Sequence, residues 1–189
     1  TGDDRTGITT MLTDHGIDTG DMLLKVETPI TEEDTAGTLQ ERLSAMGATL
    51  LMETIDRLAK GTCPRTRQDE AAMTYDPKLT KETGLIDFAQ STRQSLCRVR
   101  AMDPWPVAYA QLANVTLKVW RAKEAKSGAT AVPGTVLRAD ARGGLVIATG
   151  DSAMELLEIQ APNARRMEAK AFLLGHPIEA GKPLCEVQL

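Results

Sequence analysis

A short loop rich in aspartate and glycine is the first candidate for chemistry in this sequence. Residues 14–21 read Asp-His-Gly-Ile-Asp-Thr-Gly-Asp and stand between two strand-like runs. A carboxylate that a tight turn holds in place can orient and polarise an imidazole, as in hydrolases with a catalytic histidine. Asp18, fixed by Thr19 and by glycine amides, is predicted to be such a carboxylate. From the residues alone, the competing interpretation of a turn aspartate that caps backbone amides is favoured.

Strands are predicted on both sides of this loop. Residues 8–12 and 22–26 are rich in apolar and β-branched side chains, and Pro29 ends the second run. The polar residues between the two runs, with their two glycines, predict a tight connection. The aspartate loop is therefore predicted to join two neighbouring strands.

A helix is predicted after the second strand. Thr38 with Glu41 predicts a capping box at its start, and Gly61 after Lys60 can take the left-handed cap at its end. An apolar stripe near helical period runs along it, formed by Leu39, Leu43, Met46, Leu50, Ile55 and Leu58. This helix is expected to pack on the two strands. Two strands and one helix are too little for a stable sheet domain, so residues 1–61 are predicted to end a larger α/β domain.

The rest of the chain is predicted to divide into a linker and a mainly β domain. Residues 62–83 are polar and lack sustained periodicity, which predicts a linker. A short helix capped by Ser91 with Gln94 follows and runs toward Met102. Strand-like runs then alternate with glycine-rich turns, at residues 109–112, 115–120, 135–137, 145–149 and 154–159. This pattern predicts a small barrel or sandwich.

Two further structural roles are predicted in the second half. Residues 164–174 predict one more helix, because Met167, Ala171 and Leu174 would share a face. Trp105 stands between two prolines and is predicted to be a packing anchor where the second domain begins.

Charge is distributed unevenly along the chain. Hydrophobic residues make up 42% of it and charged residues 25%, which is ordinary for a globular protein. Residues 1–83 carry 9 Lys and Arg against 16 Asp and Glu, whereas residues 84–189 carry 13 against 10. The basic second half hints at a polyanionic partner, although on charge alone an ordinary solvated surface is the favoured explanation.

The composition argues against several classes of protein. No apolar run approaches the roughly 20 residues that span a bilayer, and the polar, acidic amino terminus is unlike a signal peptide. Cys63, Cys97 and Cys185 are far apart and odd in number, so neither a disulfide framework nor a zinc knuckle is expected. Buried or free thiols in a reducing cytoplasm are predicted, with no membrane partner and no metal.

An ordered series of short motifs runs from the aspartate loop to the end of the chain. Residues 14–23 have the form D-x-G-[LI]-D-T-G-D-M-[LI]. The motifs that follow are Thr74-Tyr75 with Lys78-Leu79, Ile86-Asp87-Phe88, Pro104-Trp105-Pro106, Lys118-Val119-Trp120, Pro133-Gly134-Thr135-Val136, Ala148-Thr149-Gly150-Asp151 and Gly181-Lys182-Pro183-Leu184. The ordered set, over essentially the whole chain, resembles the methionyl-tRNA formyltransferase family. The resemblance implies an α/β remnant, the end of a Rossmann-like formyltransferase domain, followed by a mainly β, OB-like barrel domain in residues 84–189.

The resemblance also implies a reaction and roles for the loop. The family moves a formyl group from 10-formyltetrahydrofolate to the α-amine of initiator methionyl-tRNA, for translation initiation in the cytoplasm. It uses an asparagine and a histidine that face the formyl oxygen, and an aspartate that orients the histidine and a water. Asp18 matches that aspartate. Asp14, Gly16 and Ile17 are expected to line the folate pocket, although Asp14 could equally cap the loop.

The other two catalytic side chains of the family have no match in this sequence. His15 takes a variable position of the loop motif and is expected on the surface, whereas His176 is expected to be structural. The chain is therefore predicted to be a fragment, inactive alone, of an enzyme that is monomeric at full length. Its apolar helix face and open strand edges predict that the fragment self-associates.

Nine basic side chains of the second half are predicted to meet tRNA, although a solvated surface residue is the default interpretation for each alone. Such side chains contact phosphates and contribute affinity and salt dependence rather than sequence reading. They are Arg93, Arg98, Arg100, Lys118, Arg121, Lys123, Arg165, Arg166 and Lys170. Trp120 shares one side of its strand with Lys118. It is predicted to be a buried core aromatic, with base stacking as the alternative.

Two other functions stay open at this point. A folate-dependent sugar-nucleotide formyltransferase has a similar barrel and a similar Pro-Trp-Pro turn. The Asp-Thr-Gly-Asp-Met loop and the Thr-Tyr and Lys-Leu pairs of the linker favour the tRNA enzyme. The alternative of a different class is a free-standing RNA-binding module without catalysis, because two of the family's three catalytic side chains are absent.

Overall fold

A two-stranded antiparallel hairpin begins the fold. β1 (Arg5–Met11) pairs with β2 (Met22–Pro29), and Ile8 lies opposite Val26. Both predicted strands are confirmed, with β1 starting three residues earlier and β2 running three residues further than the apolar runs. Mutual pairing explains the longer strands, since the added residues find backbone partners on the other strand.

The chain forms two compact units. The computed structural model describes residues 2–126 and 131–188. One unit is Asp3–Lys78, which contains the hairpin, and the other comprises residues 79–188 together with Gly2. The predicted domain boundaries, at residues 61 and 83, stay predictions.

A long helix, α1 (Ala36–Ala59), follows the hairpin. The predicted capping box of Thr38 with Glu41 is wrong, because the helix begins one turn earlier. Thr35 is the N-cap, and its hydroxyl accepts from the Thr38 N–H at 3.3 Å, while the Thr38 hydroxyl accepts from the Thr35 N–H at 3.0 Å. Each of these two threonines therefore accepts a hydrogen bond from the backbone N–H of the other, at the start of the helix. The predicted end is confirmed, since Lys60 is the C-cap and Gly61 has a φ of +68°.

α1 packs on both strands of the hairpin, as predicted. The predicted apolar stripe is buried only in part, because Leu50 is buried whereas Ile55 and Leu58 are exposed. Thr54 occupies the buried face in this last part of the helix. Its hydroxyl donates to the Leu50 carbonyl at 2.7 Å and contacts the Thr10 hydroxyl at 2.9 Å. A satisfied polar pair therefore replaces apolar contact at this end of the hairpin.

Part of the predicted linker is attached to the first unit by backbone hydrogen bonds. Thr66 and Met22 exchange two of them, at 2.8 and 2.9 Å. A short 3₁₀ turn, Glu70–Ala72, follows within the same unit. Residues 62–69, the linker strap, are consequently held against the start of β2.

Six strands of the second unit form one antiparallel sheet. They are β3 (Ala108–Gln111), β4 (Thr116–Ala125), β5 (Val136–Asp140), β6 (Gly144–Ala148), β7 (Ala153–Gln160) and β8 (Met167–Glu168). The strand order is β3-β4-β7-β6-β5, and β8 also pairs with β7. The five predicted runs are confirmed as strands of this sheet. Over residues 2–126 and 131–188 no ladder joins β5 to β3, so a closed barrel is not seen there.

Two helices pack on this sheet around one hydrophobic core. α2 (Thr92–Ala101) contacts β3, β4 and β7, and α3 (Ala169–Gly175) contacts β5, β6 and β7. The capping box of Ser91 with Gln94 is confirmed at the start of α2. The largest fully buried side chains are Leu112, Leu117, Leu145, Ile147, Met154, Leu156, Ile159, Leu184, Val119 and Val136.

The predicted last helix is wrong in its start and in its buried face. α3 begins at Ala169, because the residues before it pair with β7 as β8. Phe172 and Leu173 are buried with Ala169, whereas Leu174 is 78% exposed. The observed helix thus starts five residues later than predicted and buries a different face.

Trp105 is not the packing anchor that its position between prolines suggests. Its side chain is 55% exposed. Val107, two residues later, is buried and donates its N–H to the Met102 carbonyl at 2.9 Å. Val107 and Met102 therefore anchor this turn in the core.

Cys63, Cys97 and Cys185 are free thiols. Within the described ranges, none of the helices has the length and apolar character to cross a membrane.

Candidate functional site

The aspartate loop closes on itself at a narrow neck. The Leu12 N–H donates to the Asp21 carbonyl at 2.9 Å, which brings the two ends of the loop together. Gly20 is buried there, and a Cβ atom added to it would lie 1.7 Å from the Leu12 carbonyl oxygen. Only glycine permits this approach of the two backbone segments.

Asp14 holds the inside of the loop. Its Oδ1 accepts from the Thr19 hydroxyl at 2.6 Å and from the Gly16 N–H at 3.0 Å. These hydrogen bonds, the one from Thr19 first, hold the pKa of the Asp14 carboxyl below its usual value. The expectation that Thr19 and a glycine amide fix Asp18 is therefore wrong. Asp14 precedes Gly16 by two residues, the spacing of an Asx turn, and so it captures both donors.

Asp18 is held through its backbone and not through its carboxylate. Its φ is +56°, in the left-handed region, and its carbonyl accepts from the Gln68 side-chain amide at 2.8 Å. The same amide donates to the Gly20 carbonyl, also at 2.8 Å. Over the described parts of the chain, the Asp18 carboxylate accepts no hydrogen bond and is exposed. The Asp18 carboxylate thus caps no backbone amide among the described residues, and a hydrogen-bond donor of a bound molecule can reach it.

The remaining loop residues face solvent. Ile17 is 92% exposed and His15 is exposed. A Cβ atom on Gly16 would lie 2.1 Å from the Thr19 hydroxyl oxygen, so this position requires glycine while Asp14 bonds Thr19.

The three predicted arginines of α2 have separate partners. The Arg93 guanidinium donates to the Gly2 carbonyl at 2.8 Å, and that of Arg98 to the Thr83 carbonyl at 2.6 Å. Arg100 is half-buried and contacts the Cys97 sulfur at 3.4 Å. The structure does not bring these three guanidinium groups onto shared partners.

Two of the predicted cations on the sheet are paired with glutamates of β7. Lys123 lies 3.1 Å from buried Glu155, its cross-strand neighbour. Arg166 makes a bidentate pair with Glu158, at 2.6 and 2.9 Å. Such pairs hold the cations to the protein surface and lessen the charge that they offer to phosphates.

The Arg166 guanidinium also covers Trp120. Its central carbon lies 4.4 Å from the centre of the indole ring, a cation–π contact. Trp120 is half-buried, and its N–H donates to Gln160 at 3.1 Å. The prediction of a fully buried core aromatic is wrong, because the register of β4 shifts between Val119 and Arg121 and places Trp120 at the bulge.

Four predicted cations remain exposed without hydrogen bonds or ion pairs over residues 2–126 and 131–188. They are Lys118, Arg121, Arg165 and Lys170. Lys118 lies opposite Gln160 and Arg121 opposite Glu158, on adjacent strands. Arg165 precedes β8, which pairs with the same end of β7. Three of the four therefore surround the end of β7.

Comparisons with known proteins decide the family. Residues 78–177 match the family model described as formyl transferase, C-terminal domain, and residues 1–55 match that of formyl transferase. The chain belongs to the formyl transferase family. The two matched ranges lie in the first and in the second half of the chain.

Two curated relatives share about two fifths of their aligned residues with this formyl transferase chain. A methionyl-tRNA formyltransferase of Bacillus licheniformis is 41% identical over 184 residues, which are 97% of the chain and 58% of the relative. One of Citrifermentans bemidjiense is 42% identical over 180 residues, 95% of the chain and 56% of the relative. The chain spans a little over half the length of these relatives.

Three solved structures share the fold of this chain. HypX from Aquifex aeolicus in complex with tetrahydrofolic acid aligns with a TM-score of 0.63 and 20% identity, over 91% of this chain and 30% of that one. An N-formyltransferase from Helicobacter canadensis, with folinic acid and dTDP-3-aminofucose, gives 0.65 and 17%, over 88% and 57%. Methionyl-tRNA formyltransferase from Clostridium thermocellum gives 0.52 and 16%, over 85% and 57%. At these identities the likeness shows the fold alone.

Sequence reasoning missed Gln68. It lies in a polar stretch with no period, where nothing local distinguishes it from its exposed neighbours. The backbone pairing of Thr66 with Met22 brings it to the loop, and no sequence spacing signals that pairing.

Proposed function

We propose that this chain is part of a methionyl-tRNA formyltransferase. The whole enzyme would transfer the formyl group of 10-formyltetrahydrofolate to the α-amine of initiator methionyl-tRNA, in the cytoplasm, for translation initiation. The observation that carries this proposal is 41% identity, over 97% of the chain, to a curated protein of that name. Because the chain spans 58% of that relative, the activity is proposed for the complete protein.

The open carboxylate of Asp18 supports a role in proton transfer. The amine nitrogen attacks the formyl carbon and loses a proton. The bond between that carbon and the folate nitrogen breaks, and the folate nitrogen keeps the electron pair and takes up a proton. An imidazole that accepts the proton of the amine becomes cationic, and a nearby carboxylate orients and stabilises it. Asp18 suits this role since its carboxylate is not engaged in the loop, whereas that of Asp14 is.

The outer side of the same loop is proposed to contact the folate. 10-Formyltetrahydrofolate supplies the formyl group, and its ring system needs apolar contact with a few polar groups around it. Ile17, with 92% of its side chain exposed, offers apolar surface. Gly16 keeps the backbone beside it free of side-chain bulk, and Asp14 holds the turn in shape.

The second unit is proposed to bind the tRNA as an OB-like barrel domain. Its exposed cations around the end of β7 suit contact with phosphates, which are positioned by Lys and Arg side chains. Residues 84–189 would form this domain, residues 62–83 the linker and residues 1–61 the end of the catalytic domain. Of the nine predicted cations, Lys118, Arg121, Arg165 and Lys170 are the strongest candidates, because they have no hydrogen bond or ion pair in the described chain.

The test is formyl transfer by the complete purified protein. Methionyl-tRNA and a dTDP-amino sugar are offered separately with 10-formyltetrahydrofolate, and product formation is followed for each. We expect turnover with methionyl-tRNA, and a loss of at least about a thousandfold in kcat for Asp18→Asn with the fold intact. Asp21→Asn is the matched control in the same loop. Asp21 closes the neck through its backbone carbonyl, which this substitution keeps.

The other outcomes identify the alternatives. Turnover with the amino sugar alone would assign a sugar-nucleotide formyltransferase. Binding of tRNA without turnover on either acceptor would assign an RNA-binding module. Near-normal turnover of Asp18→Asn would return Asp18 to a structural role. The isolated 189-residue chain is expected to show no turnover.

A further inference from the structure

One side chain of the linker strap, that of Gln68, contacts the aspartate loop. Gln68 lies half-buried while the residues on both sides of it, Arg67 and Asp69, are exposed. Thr66, two residues earlier, is fixed by two backbone hydrogen bonds to Met22. The strap therefore holds Gln68 at a defined distance from the loop, across 50 residues of sequence.

The amide of Gln68 spans the loop at Thr19. Its nitrogen lies 2.8 Å from the carbonyl oxygens of Asp18 and Gly20, the residues on either side. A side-chain amide carries two N–H donors, so one group satisfies both acceptors. Neither carbonyl belongs to a strand, so neither accepts a hydrogen bond within a sheet. Gln68 supplies the hydrogen-bond donors for both.

The backbone of Asp18 needs such support. A φ of +56° is uncommon for any residue other than glycine, and such a conformation persists where the surroundings over-determine it. Asp14 fixes Gly16 and Thr19 from inside the loop, and the Leu12 N–H closes its neck. Only Gln68 contacts Asp18 itself by a hydrogen bond, among the described residues.

We propose that Gln68 is a positioning residue for formyl transfer, which holds Asp18 in the left-handed conformation that aims its carboxylate. The inference rests on the proposed function of Asp18. Gln68 touches no reacting atom in this scheme and acts through the loop backbone. Misplacement of a catalytic group by about 1 Å can reduce turnover by roughly a hundredfold, so two lost hydrogen bonds suffice for a large effect.

The first test measures the loop directly. Hydrogen–deuterium exchange of the complete protein is followed by mass spectrometry in the peptides that cover residues 12–21. Gln68→Ala and Gln68→Glu are both expected to raise exchange in this segment by at least about tenfold, because glutamate keeps the length of glutamine but lacks its donors. Gln40→Ala, an exposed position on α1, is the matched control and is expected to leave exchange there unchanged. Unchanged exchange in both Gln68 variants would overturn the inference.

The second test measures turnover in the same variants. We expect kcat to fall between about tenfold and a hundredfold, with KM for methionyl-tRNA changed less than about threefold, because the loss concerns the transition state. A role that depends only on the volume of the side chain predicts that Gln68→Glu keeps its turnover, since glutamate fills the same volume. Normal kcat in a variant with a loosened loop overturns the positioning role, provided that Asp18→Asn loses activity in the same assay. Normal kcat in Asp18→Asn overturns the proposed function of Asp18, and the positioning role with it.

Discussion

The carboxylate of Asp151 caps helix α2 at Thr92, which lies 59 residues earlier in the chain. Its Oδ1 accepts from the N–H and from the hydroxyl of Thr92, each at 2.7 Å. The Thr149 hydroxyl lies 2.6 Å from the Thr92 hydroxyl and completes the chain of hydrogen bonds. The Ala-Thr-Gly-Asp motif that helped to mark the family thus connects the turn between β6 and β7 to the start of α2.

Removing the Thr92 hydroxyl should therefore weaken the second unit. Thr92→Val keeps the shape of this buried side chain but leaves Asp151 and Thr149 without a shared partner. We expect the free energy of unfolding to fall by about 2 kcal/mol, since buried polar groups lose their hydrogen bonds. Urea unfolding measures it, with exposed Thr116→Val as control, for which about 0.5 kcal/mol or less is expected. An equal effect of both substitutions would contradict this role of Thr92.

The ion pair between half-buried Arg42 and buried Asp34, near the start of α1, predicts a dependence of stability on pH. Arg42 bonds both oxygens of Asp34, at 2.7 and 2.9 Å, and the Thr31 N–H adds a third bond. The Arg42 guanidinium first, and then Thr31, hold the pKa of the Asp34 carboxyl well below its usual range. A depressed pKa contributes stability above the unfolded value, near 3.9, and this contribution is lost as the pH falls below it.

Asp34→Asn should accordingly be destabilising at neutral pH and less so in acid. We expect a loss of about 2 kcal/mol at pH 7, a value reduced by the partial exposure of Arg42. Urea unfolding at pH 7 and at pH 3 gives the difference between parent and variant at each pH. The idea fails when that difference stays the same at both.

The neck of the aspartate loop predicts the effect of a single methyl group. In Gly20→Ala the new Cβ would meet the Leu12 carbonyl oxygen at 1.7 Å, so the two backbone segments must separate. We expect a loss of about 2 kcal/mol in the free energy of unfolding and faster amide exchange at Leu12. Gly175→Ala, where nothing lies within 4 Å of the added atom, is the control. Retained protection at Leu12 would show that the neck tolerates a side chain.

Binding of initiator methionyl-tRNA should distinguish the exposed cations that contact phosphates from the cations that are held in ion pairs. We expect a Kd in the micromolar range or better that weakens steeply with salt, because bound phosphates release counterions. Arg165→Gln should lower the slope of log Kd against log salt by about 1. Arg142→Gln, an exposed arginine outside the predicted set, should leave the slope unchanged.

Arg166→Gln provides the complementary comparison in the same assay. Glu158 and Trp120 hold the Arg166 guanidinium. We therefore expect Arg166→Gln to lower the free energy of unfolding and to change the slope of log Kd against log salt less than Arg165→Gln does. Urea unfolding and the salt series together measure both effects. A slope reduced as much as by Arg165→Gln, with unchanged stability, would place Arg166 among the phosphate contacts instead.

Local spacing predicted most of the secondary structure but not its exact register. Ser91 with Gln94 lies at the cap of α2 because a capping box depends only on residues three apart. The same reasoning placed the start of α1 one turn too late, since Thr35 and Thr38 compete for the role by the same spacing. α3 was predicted too long because a propensity for helix gave way to pairing with β7, which no local pattern reveals.

The amino-acid order alone was sufficient for the family and for the candidate loop, because motifs are runs of neighbouring residues. The division of labour within the loop depended on contacts in space. Asp14 takes the hydrogen bonds of Thr19 and Gly16, while the Asp18 carboxylate stays open. Gln68 reaches the loop across 50 residues, and Arg166 covers Trp120 from the far side of β7. Hydrogen bonds and ring contacts between such distant residues leave no period in a sequence, so only the folded chain could decide which groups are engaged and which are free.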